Sequence, residues 1–343
     1  MSELRKDIIG GRWVIIAIER SKRPDDFRPA QETQKNESQK FCPFCEGNEI
    51  KTPPEVFAIR RKGSKPDQPG WLVRVVPNKF PALSPGLTPK IEKSEDGLFF
   101  RMEGIGVHEV IIESPNHKGE LADFRLNHLE KIIDTYQNRM LEIQKEKQYK
   151  YLHLFKNKGR EAGASLSHPH SQLVATPIVP KRILEELRSS SQFKERFGQC
   201  IFCRLIEEEL KKGERLVYQN DHFCVLTPFA PRFPFELRLY PKGHSTWFSE
   251  ITEIEKKSLA QALKTVLVRL KKILSDPPYN FYIHQGPNPH SIGDCPNGVE
   301  HYYHWHLEII PILTKAAGFE WGTGFYINPV SPETAAAFLR PKS

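Results

Sequence analysis

The chain carries one ordered series of side chains twice. Cys42-Pro-Phe-Cys45 is followed by a lone histidine, His117, and then by His168-Pro-His170. Cys200-Ile-Phe-Cys203 is followed by His244 and then by His304-Trp-His306. A single His-x-His is weak evidence, but a whole series repeated in order points to two comparable units. In a chain with no secretion signal, such cysteine pairs read as metal sites or redox dithiols rather than disulfides. A redox pair belongs between a strand and a helix. Both pairs here lie in polar, turn-rich sequence, which favours zinc. Each pair then needs two more ligands, and histidine is the usual partner. Cys224, within Phe-Cys-Val-Leu, reads as a small buried hydrophobe.

At 343 residues the chain exceeds one ordinary domain, so two domains or a duplicated unit is expected. No stretch approaches the roughly 20 apolar residues that cross a bilayer, and mean hydropathy is -0.51. The opening Met-Ser-Glu-Leu-Arg-Lys lacks the layout of a secretory signal. Membrane and secreted classes are therefore not expected, and a cytoplasmic protein is. The net charge of +8 is spread along the chain, which argues against a nucleic-acid arm and suits ligands carrying phosphate. The 28 prolines imply many fixed turns.

Periodicity repeats along with the motif. Leu129, Ile132, Ile133, Tyr136, Met140 and Ile143 recur at helical spacing after His117, and Leu259, Leu263, Val266, Leu267, Leu270 and Leu274 do so after His244. Each helix leads to an alternating aromatic strand, Tyr149 to Phe155 and Tyr279 to His284. A glycine turn follows, and then a second strand, Ser171 to Ala175 and Leu307 to Pro311. Positions i and i+2 of a strand share a face, so both histidines of each His-x-His project together. One can bind metal while the other meets a ligand. The boundary falls between Pro180 and Ser191, with a short helix from Arg182 to Arg188. The expected halves are 1–180 and 181–343.

Gly163-Ala-Ser-Leu-Ser-His168-Pro-His170-Ser-Gln172 resembles the active-site segment of the galactose-1-phosphate uridylyltransferase family. Gly11-Arg-Trp-Val, Arg20-Ser-Lys-Arg23-Pro, Pro77-Asn78-Lys-Phe80-Pro-Ala-Leu and Pro234-Phe-Glu236-Leu are similar to other family segments. Ser171 and the run from Gly318 to Val330 resemble a plant-type relative, ADP-glucose phosphorylase. The resemblance implies an α+β fold, a tandem duplication of a histidine-triad-like unit, with antiparallel sheets each packed on a long helix. It implies a homodimer and two zinc ions per chain. His170 would be the nucleophile and His168 the adjacent ligand of a zinc held with Cys42, Cys45 and His117. Gln172, Ser165, Asn157 and Gly159 would hold phosphoryl oxygens, Arg20 and Arg23 would lie near the phosphates, and Asn78 would contact the nucleotide. Members without a second cysteine pair use a glutamate and three histidines, matching roughly His284, His304 and His306. With Cys200 and Cys203 present, the plant-type set Cys200, Cys203, His244 and His304 is expected instead.

The chemistry accounts for these residue types. Neutral imidazole, with an ordinary pKa of about 6.5, attacks phosphorus and later leaves readily. A sugar phosphate leaves as an anion and demands no strong general acid. Gln172 stands where hydrolytic relatives carry a third histidine. An amide can bond a phosphoryl oxygen but cannot shuttle a proton, which favours transfer over hydrolysis. In the second half Trp305 replaces the proline and Glu308 the glutamine. A carboxylate there is expected to repel phosphate and abolish catalysis. His153, His222 and His290 receive no role.

The leading expectation is therefore uridylyl exchange between UDP-glucose and galactose 1-phosphate through a uridylyl-His170. The alternative is adenylyl transfer from ADP-glucose to inorganic phosphate. A third, non-enzymatic reading is a zinc-stapled binding protein of the same fold. Nucleic-acid and membrane partners are not expected.

Overall fold

The computed structural model describes residues 1–20, 23–27, 42–87, 89–291 and 295–341. An N-terminal hairpin, β1 (Glu3–Lys6) and β2 (Trp13–Ile16), opens the chain. Then come β3 (Phe57–Arg60), β4 (Trp71–Pro77), the small pair β5 (Ile91–Lys93) and β6 (Phe100–Met102), and β7 (Val107–Ile112). Helix α1 (Leu126–Gln144) leads to β8 (Tyr151–Lys158) and β9 (His170–Thr176). Two helices, α2 (Lys181–Phe197) and α3 (Ile201–Lys212), precede β10 (Leu216–Gln219), β11 (Phe223–Leu226) and β12 (Leu237–Pro241). Helix α4 (Glu253–Ile273) leads to β13 (Tyr279–His284), and the short α5 (Val299–Tyr302) to β14 (His306–Pro311). The chain closes with α6 (Gly318–Thr323), β15 (Tyr326–Asn328) and α7 (Pro332–Leu339).

Ten of these strands form one sheet in the order β10-β11-β12-β14-β13-β8-β9-β7-β4-β3, and every neighbouring pair in it is antiparallel. Each half contributes five adjacent strands, and β8 and β13 join them with Asn157 opposite Asn280. The expected two sheets are thus fused edge to edge. That closure satisfies a row of backbone groups that two separate sheets would leave open. The helix expected at 182–188 runs on from Lys181 to Phe197 and stops at Gly198, whose left-handed backbone closes its last turn.

Helices α1 and α4 cover one face of the sheet. Leu129, Ile132, Ile133, Tyr136, Met140 and Ile143 from α1 enter the same apolar cluster as Leu259, Leu263, Val266, Leu267 and Leu270 from α4. The strands answer with Ile111, Leu154 and Leu173 from one half, and Leu239, Phe281 and Leu307 from the other. Each such side chain stabilises the fold by roughly 1.5–3 kcal/mol. Helix α4 starts on a capping box, Thr252 with Glu255, and ends on Lys271 and Lys272, which suit the helix dipole. At the chain ends β15 runs parallel to β2 in a three-stranded sheet with β1. Among the described residues no helix is long and apolar enough to cross a membrane.

Candidate active site

Cys42 and Cys45 sit in a run of turns before β3, His117 in the loop after β7, and His168 just before β9. One ligand atom from each lies within 4.8 Å of all the others. His117 Nδ1 is 3.3 Å and His168 Nδ1 3.6 Å from Cys45 Sγ. The opposite ring nitrogens are taken: His168 Nε2 donates to the Ser114 carbonyl at 2.7 Å, and His117 Nε2 meets Ser167 Oγ at 3.2 Å. That arrangement leaves the His168 Nδ1 lone pair facing the sulfurs and allows the same of His117, as a tetrahedral soft-metal site requires. Burial, then the neighbouring Cys42, pushes the Cys45 thiol up to about 12, so the pair gains from a cation between the sulfurs. Burial likewise lowers His168 to about 4 and keeps it neutral.

Cys200, Cys203, His244 and His304 repeat this arrangement. His244 Nδ1 lies 3.2 Å and His304 Nδ1 3.7 Å from Cys203 Sγ. Their Nε2 atoms donate to the carbonyls of Glu300 and Pro241, each at 2.9 Å. Both groups therefore fit zinc. One expectation needs correction: the second cysteine pair is not in a turn, because Cys200 caps α3 and Cys203 lies in its first turn. The positive end of the helix dipole favours thiolate there.

His170 opens β9, pinned to the first group through its backbone. Its Nδ1 donates to the His168 carbonyl at 2.8 Å, so Nε2 carries the lone pair and makes no hydrogen bond among the described residues. Burial holds the His170 pKa below the ordinary histidine value. The ring packs edge-on to Phe44, 5.3 Å between centroids, so a residue between the two cysteines braces it. Two residues on, Gln172 accepts at Oε1 from His108 Nε2 at 2.8 Å. His108 Nδ1 accepts in turn from the Ala82 N–H at 3.1 Å, which fixes the proton on Nε2. Gln172 thus keeps its amide donors for a ligand. Asn78 Nδ2 stands 3.0 Å from the same His108 Nε2. His108 was not singled out from sequence; its signal is a polar side chain interrupting the apolar run of β7.

Asn157 is the penultimate residue of β8, and Asn280 from the other half donates to its Oδ1 at 2.8 Å, which aims the Asn157 amide donors elsewhere. Gly159 has a φ of +87°, and an added Cβ would lie 2.7 Å from Pro278 Cβ, so only glycine fits. Ser165 is exposed on the following loop, and Arg23 is exposed before the turn Pro24–Phe27. Among the described residues no hydrogen bond ties either to His170 or Gln172. The side chain of Arg20 lies outside the described residues.

The second half presents a different surface at the matching place. His306 is fully buried against Phe202, Tyr240 and His284, with centroids 5.2–5.4 Å apart. Glu308 does not face an open pocket, as its expected repulsion of phosphate would need. Arg232 and Arg182 reach its Oε2 at 2.6 and 3.0 Å, and Arg238 its Oε1 at 3.1 Å. Burial alone would raise this carboxyl, yet Arg238, Arg182 and Arg232 hold it well below the usual carboxylate range. At this place the second half is filled by packed side chains, and Glu308 is paired with arginines and not free to repel phosphate. Glu186 and His284 meet at 3.0 Å beside His306 and Glu308. His304 belongs with the cysteines, not with this group.

An imidazole with one ring nitrogen left unbonded among the described residues, beside a Cys₂His₂ group and an oriented glutamine two residues on, is an arrangement that can serve nucleophilic transfer at phosphorus. Residues 1–180 match the galactose-1-phosphate uridyl transferase N-terminal domain, and residues 185–332 match its C-terminal domain. The chain belongs to the galactose-1-phosphate uridylyltransferase family and is an enzyme, a nucleotidyltransferase. It is 38% identical to ADP-glucose phosphorylase of Arabidopsis thaliana, over 99% of this chain and 93% of that protein. It is 32% identical to galactose-1-phosphate uridylyltransferase of Thermotoga maritima, over 99% and 98%. The crystal structure of the Arabidopsis phosphorylase with bound ADP-glucose superposes with a TM-score of 0.82, at 36% identity over the whole of both chains. A uridylyltransferase structure superposes at 0.73, with 30% identity over 99% of this chain and 97% of that one.

Proposed function

We propose that the protein moves a nucleoside monophosphate from a nucleotide sugar to a phosphate-bearing acceptor through a covalent nucleotidyl-His170. The observation that carries this reading is His170 itself: Nδ1 is committed to the His168 carbonyl and Nε2 is left with its lone pair. In the first step Nε2 attacks the phosphorus bonded to the nucleoside, and the sugar phosphate departs with the bridging oxygen's electrons. In the second step an acceptor phosphate oxygen attacks the same phosphorus and imidazole leaves. The amide of Gln172, held by His108, and that of Asn157, held by Asn280, are the neutral donors for phosphoryl oxygens. Gly159 and Ser165 complete that cradle, Arg20 and Arg23 face the phosphates, and Asn78 meets the nucleoside.

Zinc held by Cys42, Cys45, His117 and His168 would fix the segment that carries His170. A second zinc on Cys200, Cys203, His244 and His304 would staple the start of α3 to the loop after β12 and to the segment leading into β14. Two structural ions per chain follow, with no role in the bond changes. The shared ligand geometry and the five-plus-five strand order support a tandem duplication with halves 1–180 and 181–343. Exposed Phe319 and Trp321 on α6 and exposed Trp13 on β2 support a homodimer. A cytoplasmic location is in keeping with two cysteine pairs that gather histidines as metal ligands would.

Adenylyl transfer from ADP-glucose to inorganic phosphate is the donor and acceptor pair we favour, supported by the full-length likeness to the Arabidopsis phosphorylase. Uridylyl exchange between UDP-glucose and galactose 1-phosphate is the second reading, supported by the family match and the Thermotoga relative. A panel of both nucleotide sugars against phosphate and galactose 1-phosphate separates them. Glucose 1-phosphate and ADP formed from ADP-glucose and phosphate is the expected result. Turnover with UDP-glucose and galactose 1-phosphate alone would overturn the choice of donor. A non-enzymatic scaffold would give no use to a His170 ring whose Nδ1 is committed and whose Nε2 lone pair is left unbonded among the described residues.

A further inference from the structure

Behind His170, on the face of β9 turned towards α1, lies a polar cluster with a fully buried centre. Lys156 of β8 is 1% exposed and Glu113, just after β7, 0%. Their Nζ and Oε2 atoms are 2.7 Å apart. Glu113 Oε1 accepts from Ser171 Oγ, and the Tyr136 hydroxyl of α1 stands 3.0 Å from Glu113 Oε1 and 2.7 Å from Ser171 Oγ. Glu120 adds a second carboxylate 3.9 Å from the ammonium. An ion pair this deep contributes little net stability over apolar packing of the same volume, so its retention calls for another reason.

The backbone supplies one. The Pro169 carbonyl points towards β7 and accepts from the Glu113 N–H at 3.1 Å. The next carbonyl, that of His170, points the other way, towards β8. The β8–β9 ladder ends at Phe155 opposite Gln172, so no strand partner continues it to His170. Lys156 Nζ fills that place and donates to the His170 carbonyl at 3.2 Å. The nucleophile is therefore held at both ends, by its own ring proton on the His168 carbonyl and by an ammonium on its carbonyl.

We infer that Lys156 and Glu113, locked by Tyr136 and Ser171, form a positioning unit that sets the His170 ring for attack on phosphorus. The inference rests on the proposed transfer through His170. The ammonium reaches the carbonyl only because Glu113 neutralises and aims it, and Glu113 is aimed by two hydroxyls from different elements. Ser171 thereby has a function beside the histidine without facing the substrate.

The test uses the full-length protein with Glu113→Gln and Lys156→Met made singly and together. Thermal unfolding, donor KM, and the single-turnover rate of His170 nucleotidylation are measured. Each single change strands a buried charge and is expected to lower the unfolding midpoint. The double variant removes both charges and should unfold near the parent with KM within about twofold, while nucleotidylation slows about 10–100-fold. A double variant that is as fast as the parent would overturn the inference and assign the cluster to folding alone. Should the double variant not fold, Tyr136→Phe leaves the ion pair in place. A several-fold loss in kcat at unchanged KM supports the positioning role, and an unchanged kcat overturns it. If the parent itself never labels His170 from any nucleotide sugar, the functional reading fails and takes this inference with it.

Discussion

Single side chains here work through the neighbours that orient them. Gln172 is useful as a donor only because His108 occupies its oxygen, and His108 can do so only because the Ala82 N–H fixes its tautomer. His108→Phe is expected to leave the fold intact and to lower kcat about tenfold, within the range seen when an orienting partner is lost. An unchanged kcat would remove His108 from the account. His153 makes a different prediction. It lies among Tyr151, Phe155, Tyr282 and His284, and burial, then His284 and Arg182, holds its pKa down at about 3. The unfolded chain takes up that proton at about pH 6.5, so below this pH the unfolded state binds more protons. This contribution is complete at neutral pH and is lost as pH falls from about 6.5 towards 3. His153→Phe should therefore gain urea resistance relative to the parent at about pH 5 beyond any difference at about pH 8. An equal difference at both would show the site is not kept neutral.

At the scale of elements, the loop between β8 and β9 does the most with the least. Gly159 turns the chain against Pro278 with a backbone that side chains avoid. Gly159→Ala is expected to cost about 1–3 kcal/mol in denaturant unfolding. A cost near zero would mean the loop relaxes without strain. Much at this scale was legible in the sequence. The 3.6-residue period of Leu129 to Ile143 and the alternation of Tyr279 to His284 mark α1 and β13, because one face of each is buried and the pattern is local. The cysteine and histidine series likewise foretold which residues would meet. The edge-to-edge joining of β8 with β13 was not legible, since pairing across more than a hundred residues leaves no local mark. Nor was the fate of Glu308: a carboxylate in a strand reads as exposed until Arg182, Arg232 and Arg238 are found around it. The Glu113–Lys156 cluster hid for the same reason, because its members come from four separate elements.

Across the whole molecule, one sheet carries two cages and, beside the first of them, His170 with its Nε2 unbonded among the described residues. The cages should act unequally. Cys42→Ser loosens the segment that holds Phe44 and His168 against His170, and it should lower both zinc content and nucleotidyl transfer. Cys200→Ser disturbs α3 in the filled half, and it should lower zinc content and thermal stability with a smaller loss of kcat. Elemental analysis is expected to find about two zinc ions per chain, and a strong chelator to remove them with a fall in the unfolding midpoint. Finding no zinc in protein purified without chelator would contradict both cages. The central claim, that an imidazole at 170 carries the nucleotide between donor and acceptor, has a direct measurement. The protein is mixed with ADP-glucose or UDP-glucose without acceptor, quenched in alkali, and its peptides are mapped by mass. The account predicts one nucleoside monophosphate on His170, lost again on adding phosphate or sugar phosphate, and none on His306. Turnover with no adduct at His170, or transfer that survives His170→Ala, would contradict it.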